Sequence, residues 1–369
     1  MIERRRFLAA GTAATVNAIL PGCVQKPQPD TLRLPPHVGV NLAGAEFGME
    51  LPDFSNQNFG ELHHQYTFNS LTTVRYFAER GVRTFRIPIA WERIQPTLGQ
   101  DLNADYLSNL SLLLTWIHEC QAEAIIDLHN YCRYRIEHHG QIVEALMGHS
   151  YDGKKLLTVD HLCDVWIRLS KHLAERPEVL AYGIMNEPHD LKGLDWNAAS
   201  NRVVKAIRQV DQNRWIAVCG SSWASAARFP EANGKKAWID DPTGRIVYEA
   251  HAYFDADQSG KYILSYDDEL ARDPDLANRP IRVLQPFADW CKANNVSGLV
   301  GEIGVPNSDP RWLELLSTAC KVSRNAQVAI SYWAAGEWWK EYPLSVQPND
   351  WNEPLRPQME TILSTMSKQ

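Results

Sequence analysis

An α/β fold, a single (β/α)8 TIM barrel, is predicted by three features of the 369-residue chain. Eight short runs rich in strand-forming residues fall at 38–42, 84–89, 124–129, 180–186, 216–220, 247–253, 298–302 and 328–333. Between them lie stretches of helical spacing. Leu71, Val74, Phe77 and Ala78, closed by Gly81, mark one buried helix face, and Leu107, Leu110, Leu114 and Ile117 mark another. Strands alternating with helices pair in parallel, because each crossover returns the chain to the same end of the sheet. Third, Arg86, His129, Asn130, Asn186, Glu187, His251, Tyr253, Glu302 and Trp333 gather toward the C-terminal ends of the runs. In a closed barrel those ends converge on one face, where loops build a site. No internal repeat interrupts the pattern, so residues 37–369 are expected to form one domain.

Composition narrows the function. Hydrophobic residues make up 44% of the chain, enough for a large core. Thirteen tryptophans are more than a core needs, and spare indole faces suit flat, weakly polar ligands such as sugar rings. The net charge is −7. Residues 1–22 carry three arginines and one glutamate, so without them it is −9, which argues against nucleic acid as a partner.

Residues 1–22 read as an address. Arg4-Arg5-Arg6-Phe7-Leu8 sets a twin arginine ahead of a weakly apolar run too short to span a bilayer, similar to a bacterial Tat signal. Leu20-Pro21-Gly22-Cys23 resembles a lipobox, which makes Cys23 the lipid attachment residue; the alternative is a chance cysteine in a signal cut elsewhere. Residues 23–36 contain four prolines and are expected to form an extended tether. The expectation is an exported lipoprotein, periplasmic or on the outer membrane or cell surface, that meets a membrane through that anchor only. Cys120, Cys132, Cys163, Cys219, Cys291 and Cys320 form no C-x-x-C pair and are expected as buried thiols.

Glu187 and Glu302, 115 positions apart, can face each other across a barrel mouth. Acetal hydrolysis needs such a pair: one acid protonates the leaving oxygen while the other attacks the anomeric carbon or stabilises it. Ile184-Met185-Asn186-Glu187-Pro188 and Val300-Gly301-Glu302-Ile303-Gly304 resemble the acid/base and nucleophile strands of glycoside hydrolase family 5. Phe85-Arg86-Ile87-Pro88, Asp127-Leu128-His129-Asn130-Tyr131, Tyr248-Glu249-Ala250-His251-Ala252-Tyr253 and Ser331-Tyr332-Trp333-Ala334-Ala335-Gly336 fill the remaining family positions in order. The resemblance spans roughly Val38 to Pro348. The run from Gly39 to Gly48, Trp91-Glu92-Arg93-Ile94-Gln95-Pro96, His129-Asn130-Tyr131 and Asn186-Glu187-Pro188-His189-Asp190 are similar to the endo-β-1,4-glucanase branch. Ala252, Cys132 and short loops after strands six and seven depart from it.

The resemblance implies a retaining endo-glycosidase that hydrolyses β-1,4-glucan through a glycosyl-enzyme intermediate. Glu187 would be the general acid/base and Glu302 the nucleophile, with Arg86 offering a bidentate donor fork to Glu302 and Tyr253 a hydroxyl. Asn186 would bind the sugar 2-hydroxyl, His129 and His251 would line the cleaved subsite with Asn130 beside them, and Trp333 would floor it. Trp223, Trp91, Trp338 and Trp339 lie in strand-end loops, and at least two are expected as sugar platforms. A monomer without cofactor or metal is expected. Asp255-x-Asp257-x-Ser259-Gly260 imitates a calcium loop but has Tyr266 where that loop needs glutamate. His63-His64 and His138-His139 lack zinc spacing and are expected to diverge in solvated loops. Alternatives on the same fold are another β-glycan (mannan, xyloglucan, an exopolysaccharide) or a glycan-binding protein without turnover, because loops set the subsites.

Overall fold

The computed structural model describes residues 33–339 and 341–367; the signal, Cys23 and most of the tether lie outside the described residues. Eight strands close into a barrel: β1 (Val38–Leu42), β2 (Thr84–Ile89), β3 (Glu123–Leu128), β4 (Val179–Gly183), β5 (Trp215–Cys219), β6 (Ile246–Ala252), β7 (Ser297–Ile303) and β8 (Ala329–Ala335). Every neighbouring pair is parallel, and β8 returns to β1 with Ile330 opposite Val38. The strands follow the sequence-based expectation within two residues, except that β4 stops at Gly183. Beyond it the backbone still bonds its neighbour, with Asn186 N donating to Leu128 O, but it then turns through Glu187 at φ 39° into Pro188, which has no amide hydrogen.

Helices start where a short polar side chain satisfies their free amides. Ser70 accepts from Thr73, Asn103 from Asp105 and Tyr106, and Asp195 from Ala198, while Thr158 and His161 cap each other reciprocally. Between β5 and β6 the described residues form one short helix, Phe229–Asn233, and Phe229 packs there with Trp238 and Trp290 around Tyr248. Trp91, Trp166, Trp196, Trp215, Trp290 and Trp312 are buried, so much of the tryptophan excess is core and Trp91 is no sugar platform. Cys132, Cys219, Cys291 and Cys320 are buried free thiols, whereas Cys120 and Cys163 are half-buried.

At the N-terminal end of the strands, Ile125, Ala181, Trp215, Val247, Leu299 and Ala329 fill the barrel, and Leu34 packs among them. Leu34 N donates to Ser297 Oγ at 2.9 Å, and Arg33 Nη1 to Val296 O at 3.3 Å. The last residues of the expected tether are therefore docked on the barrel.

Two connections are more elaborate than the sequence suggests. After β3 an antiparallel hairpin pairs Arg133–His138 with Gln141–Leu146 and turns at His139-Gly140, both at positive φ. The His138 and His139 rings, expected to diverge, lie 4.0 Å apart there. After β6 the chain runs through residues 253–278, including the helix Tyr266–Arg272, so this loop is not short. Asp255 organises it by accepting from the amides of Gly260, Lys261 and Tyr262 and from Ser259 Oγ. Among the described residues no helix is long and apolar enough to cross a membrane.

Candidate active site

Arg86, fully buried on β2, is the hub of the barrel mouth. Its Nε lies 2.9 Å from Glu249 Oε1, its Nη2 3.0 Å from Asp127 Oδ1, and its Nη1 3.3 Å from Glu302 Oε1. It also donates to Asn41 Oδ1 at 2.9 Å and Asn186 Oδ1 at 2.7 Å. The bidentate grip on Glu302 expected from the sequence is thus a single contact, because the fork is shared among three carboxylates. Burial opposes the guanidinium charge, but Asp127, Glu249 and Glu302 outweigh it and push the proton affinity well above the ordinary arginine value. Removing the cation would strand buried carboxylates. We therefore expect Arg86→Met to cost about 3–5 kcal/mol of stability, with Arg86→Lys intermediate. A urea midpoint unchanged in Arg86→Met would refute the hub.

His251 of β6 pairs in register with Glu302 of β7. Its Nδ1 lies 2.6 Å from Glu187 Oε1 and 3.6 Å from Glu302 Oε2, and its Nε2 lies 3.3 Å from Glu249 Oε1. Both nitrogens face carboxylates, an arrangement that favours the protonated ring. Burial lowers its proton affinity, but Glu302 and hydrogen bonds to Cys219, Glu187 and Glu249 raise it well above the usual histidine value. Glu249 moves the other way: burial would raise it, yet Arg86 and His251 hold it below the usual carboxylate range. Gly301 makes this packing possible, since a Cβ there would fall 1.9 Å from Glu249 Oε1.

Tyr253 donates to Glu302 Oε2 at 2.8 Å, so Glu302 is held on both oxygens. A carboxylate oxygen of Glu187, one of Glu302 and an imidazole nitrogen of His251 all lie within 4.8 Å of one another. So close an approach of the two acids suits a nucleophile and an acid/base acting on one bond, as in retaining enzymes.

The remaining expected residues divide into three groups. His129 donates through Nδ1 to Asp127 at 2.8 Å and stacks on Trp333, with centroids 5.5 Å apart and planes 10° apart. Burial lowers its proton affinity, but Asp127 reverses this and leaves it raised. Trp333 is half-buried and open to a cavity of about 340 Å³ that it shares with His129, Tyr131, Glu46, Phe47 and Trp339. Trp223 is 46% exposed, stacks on His189 at 4.5 Å, and lines a second cavity of about 510 Å³ with Glu187, His251 and Tyr253. Asn186 is fully buried, its oxygen taken by Arg86 and its amide 3.4 Å from His129 Nε2. Asn130 works as a staple: Oδ1 accepts from Trp91 N and Nδ2 donates to Glu92, whose other oxygen accepts from Arg135 N of the hairpin.

Sequence reasoning passed over Asp127, Glu249, Asn41 and Glu46. Asp127 and Glu249 each sit two residues before a named histidine, hence on the same face of the strand, and a lone acid in an apolar strand was the available signal. Glu46 is 7% exposed, and burial pushes its carboxyl up to about 7 against the opposing pull of His129, the Gly44 amide and Arg93. Glu50, Glu92, Tyr131, Arg133, Arg135 and Glu144 line the same cavity. A carboxyl raised on folding leaves stability intact below its unfolded value near 4.5 and erodes it as pH rises to about 7. Glu46→Gln should therefore melt above the parent at pH 8, by an amount on the order of 3 kcal/mol, and with the parent at pH 4. Parallel melting curves at both pH values would contradict this.

A parallel barrel with two glutamates in near contact across its mouth and indoles along the cleft defines a glycoside hydrolase. The comparisons with known proteins specify which kind. The family model for cellulase (glycosyl hydrolase family 5) matches residues 40–338, and the chain belongs to that family. It is 29% identical over 334 residues to the manganese dependent endoglucanase Eg5A of Phanerodontia chrysosporium, covering 88% of this chain and 78% of that one. With endo-beta-1,4-glucanase B of Emericella nidulans it shares 27% over 318 residues, covering 85% and 86%. The solved structure of Pseudomonas stutzeri endoglucanase Cel5A in complex with cellobiose superposes with a TM-score of 0.76 at 31% identity, covering 90% of this chain and 92% of that one.

Proposed function

We propose that the protein is a retaining endo-β-1,4-glucanase in which Glu302 is the nucleophile and Glu187 the general acid/base. The observation that carries the mechanism is the approach of their carboxylate oxygens to within 4.8 Å. Glu302 attacks the anomeric carbon, the bond to the leaving oxygen breaks, and that oxygen takes the proton of Glu187. Water then gives its proton to Glu187, attacks the same carbon and releases Glu302. The glucan preference is carried by the relatives, whose names specify endoglucanases. Manganese dependence is a property of the one Phanerodontia chrysosporium relative and is not carried to this chain. Release of reducing ends from carboxymethylcellulose, set beside mannan and xyloglucan, tests the substrate, and the anomeric configuration of the first product tests retention. Faster turnover of mannan or xyloglucan would replace the glucan reading.

The same reading includes export by the Arg4-Arg5 signal and a lipid on Cys23, with the proline-bearing segment between lipid and barrel. Cys23→Ser should then yield enzyme in the soluble fraction with unchanged turnover. Persistence in the membrane pellet would rule out the anchor.

A further inference from the structure

Two of the thirteen tryptophans are exposed: Trp223 in the cleft, and Trp351, 40% exposed, outside it. Beyond Trp339 the chain leaves the mouth and runs down the outer flank of the first helix, Leu71–Glu79. Glu337 Oε1 accepts from Ser70 N and Thr73 Oγ1 at the start of that helix, and Gln347 Nε2 donates to Thr73 Oγ1. Trp351 then meets Tyr76, about one turn further along, edge to face with ring centroids 6.0 Å apart. It lines neither the cavity beside Trp333 nor the one beside Glu187.

The loop that carries Trp351 is fixed. Arg80 Nη2 donates to the carbonyls of Trp351 and Glu353, Tyr76 OH donates to Pro354 O at 2.7 Å, and Glu353 N donates to Asp350 O. The Arg80 guanidinium lies 4.0 Å over the Tyr76 ring. The outer part of the indole is left to water. Beside it Asp350 Oδ1 accepts from Asn352 N and Nδ2, while Asp350 Oδ2 and Asn352 Oδ1 accept from nothing among the described residues. An apolar ring held still between two unused acceptors matches a sugar, which offers an apolar face and hydroxyl donors around its rim. A protein partner fits poorly. A stable interface covers about 800 Å² on each side, whereas the indole is ringed by exposed Asn349, Asp350, Asn352 and Pro354.

Resting on the glucanase reading, we propose that Trp351, with Asp350 and Asn352, is a glucan-binding site apart from the cleft. A sugar in an uncut stretch of polymer stacks on the indole and donates hydroxyl hydrogens to the two acceptors, so the enzyme stays on insoluble glucan between cuts. Short soluble chains, which occupy the cleft alone, gain nothing from it.

The test uses the full chain carrying Trp351→Ala, Trp351→Phe or Trp223→Ala, in the parent for rates and in Glu302→Gln for binding without cleavage. Trp351→Ala should weaken retention of the Glu302→Gln protein on phosphoric-acid-swollen cellulose about 5- to 10-fold and slow reducing-end release from the same solid. Its kcat/KM on cellopentaose should stay within about twofold of the parent. Trp351→Phe, which keeps a flat ring on Tyr76, should lose less, and Trp223→Ala, in the cleft, should lose on both substrates. Unchanged retention in Trp351→Ala, or a loss on cellopentaose as deep as on the solid, would overturn the proposal. A parent that leaves both cellopentaose and swollen cellulose uncut would instead overturn the glucan reading. Retention of Trp351→Ala and parent on insoluble mannan and on xyloglucan gels would then decide the site.

Discussion

Glu302→Gln is expected to abolish turnover on every substrate, by at least about 10⁵-fold in kcat. The amide keeps the shape and can still meet Arg86 Nη1 and Tyr253 OH, but it has no charge with which to attack the anomeric carbon. Because leaving-group quality does not help a missing nucleophile, the loss should be as deep on dinitrophenyl glycosides as on carboxymethylcellulose. The variant should keep its fold, since Asp127 and Glu249 still neutralise Arg86. Wild-type rates in Glu302→Gln would refute the assignment, and a collapsed melting curve would show that the carboxylate was structural.

Glu187→Gln should separate substrates rather than silence them all. Natural glucans, whose leaving oxygen needs a proton, should slow by about 10²- to 10⁴-fold. A dinitrophenyl leaving group departs without one, so glycosylation should proceed and the glycosyl-enzyme should accumulate for want of a base. Azide, which needs no deprotonation, should then restore turnover and give the β-azide. The environment of this side chain adds a condition. His251 stands between Glu187 and Glu249 with its proton affinity raised, so the proton that Glu187 passes to substrate moves beside a ring that favours a positive charge. Uniform losses across leaving groups in Glu187→Gln would point to a structural part for Glu187.

The barrel was legible because eight alternations leave few closed arrangements, and because strands buried on both faces read as apolar runs. Glu187 and Glu302 were legible as acids at strand ends. What the sequence concealed is which groups spend their bonds on each other. Arg86 reads as a clamp on one carboxylate, but three converge on it from β3, β6 and β7, and convergence belongs to the closed barrel rather than to any one strand. Asn130 reads as a cleft residue and does line the cavity, but its amide also ties the helix Trp91–Ile94 to the hairpin. The tryptophan count raised the same ambiguity: Trp91 has its indole nitrogen bonded to Gln95 inside the protein, while Trp223 stands in solvent. Composition cannot tell these apart, because both lie a few residues beyond a strand.

Leu34 gives the molecule a front and a back. The cleft opens where the strands end, and Leu34 stoppers the opposite pole, clasped to the first residue of β7. A glucan chain laid along the cleft crosses the ends of the strands and never meets the pole that Leu34 closes.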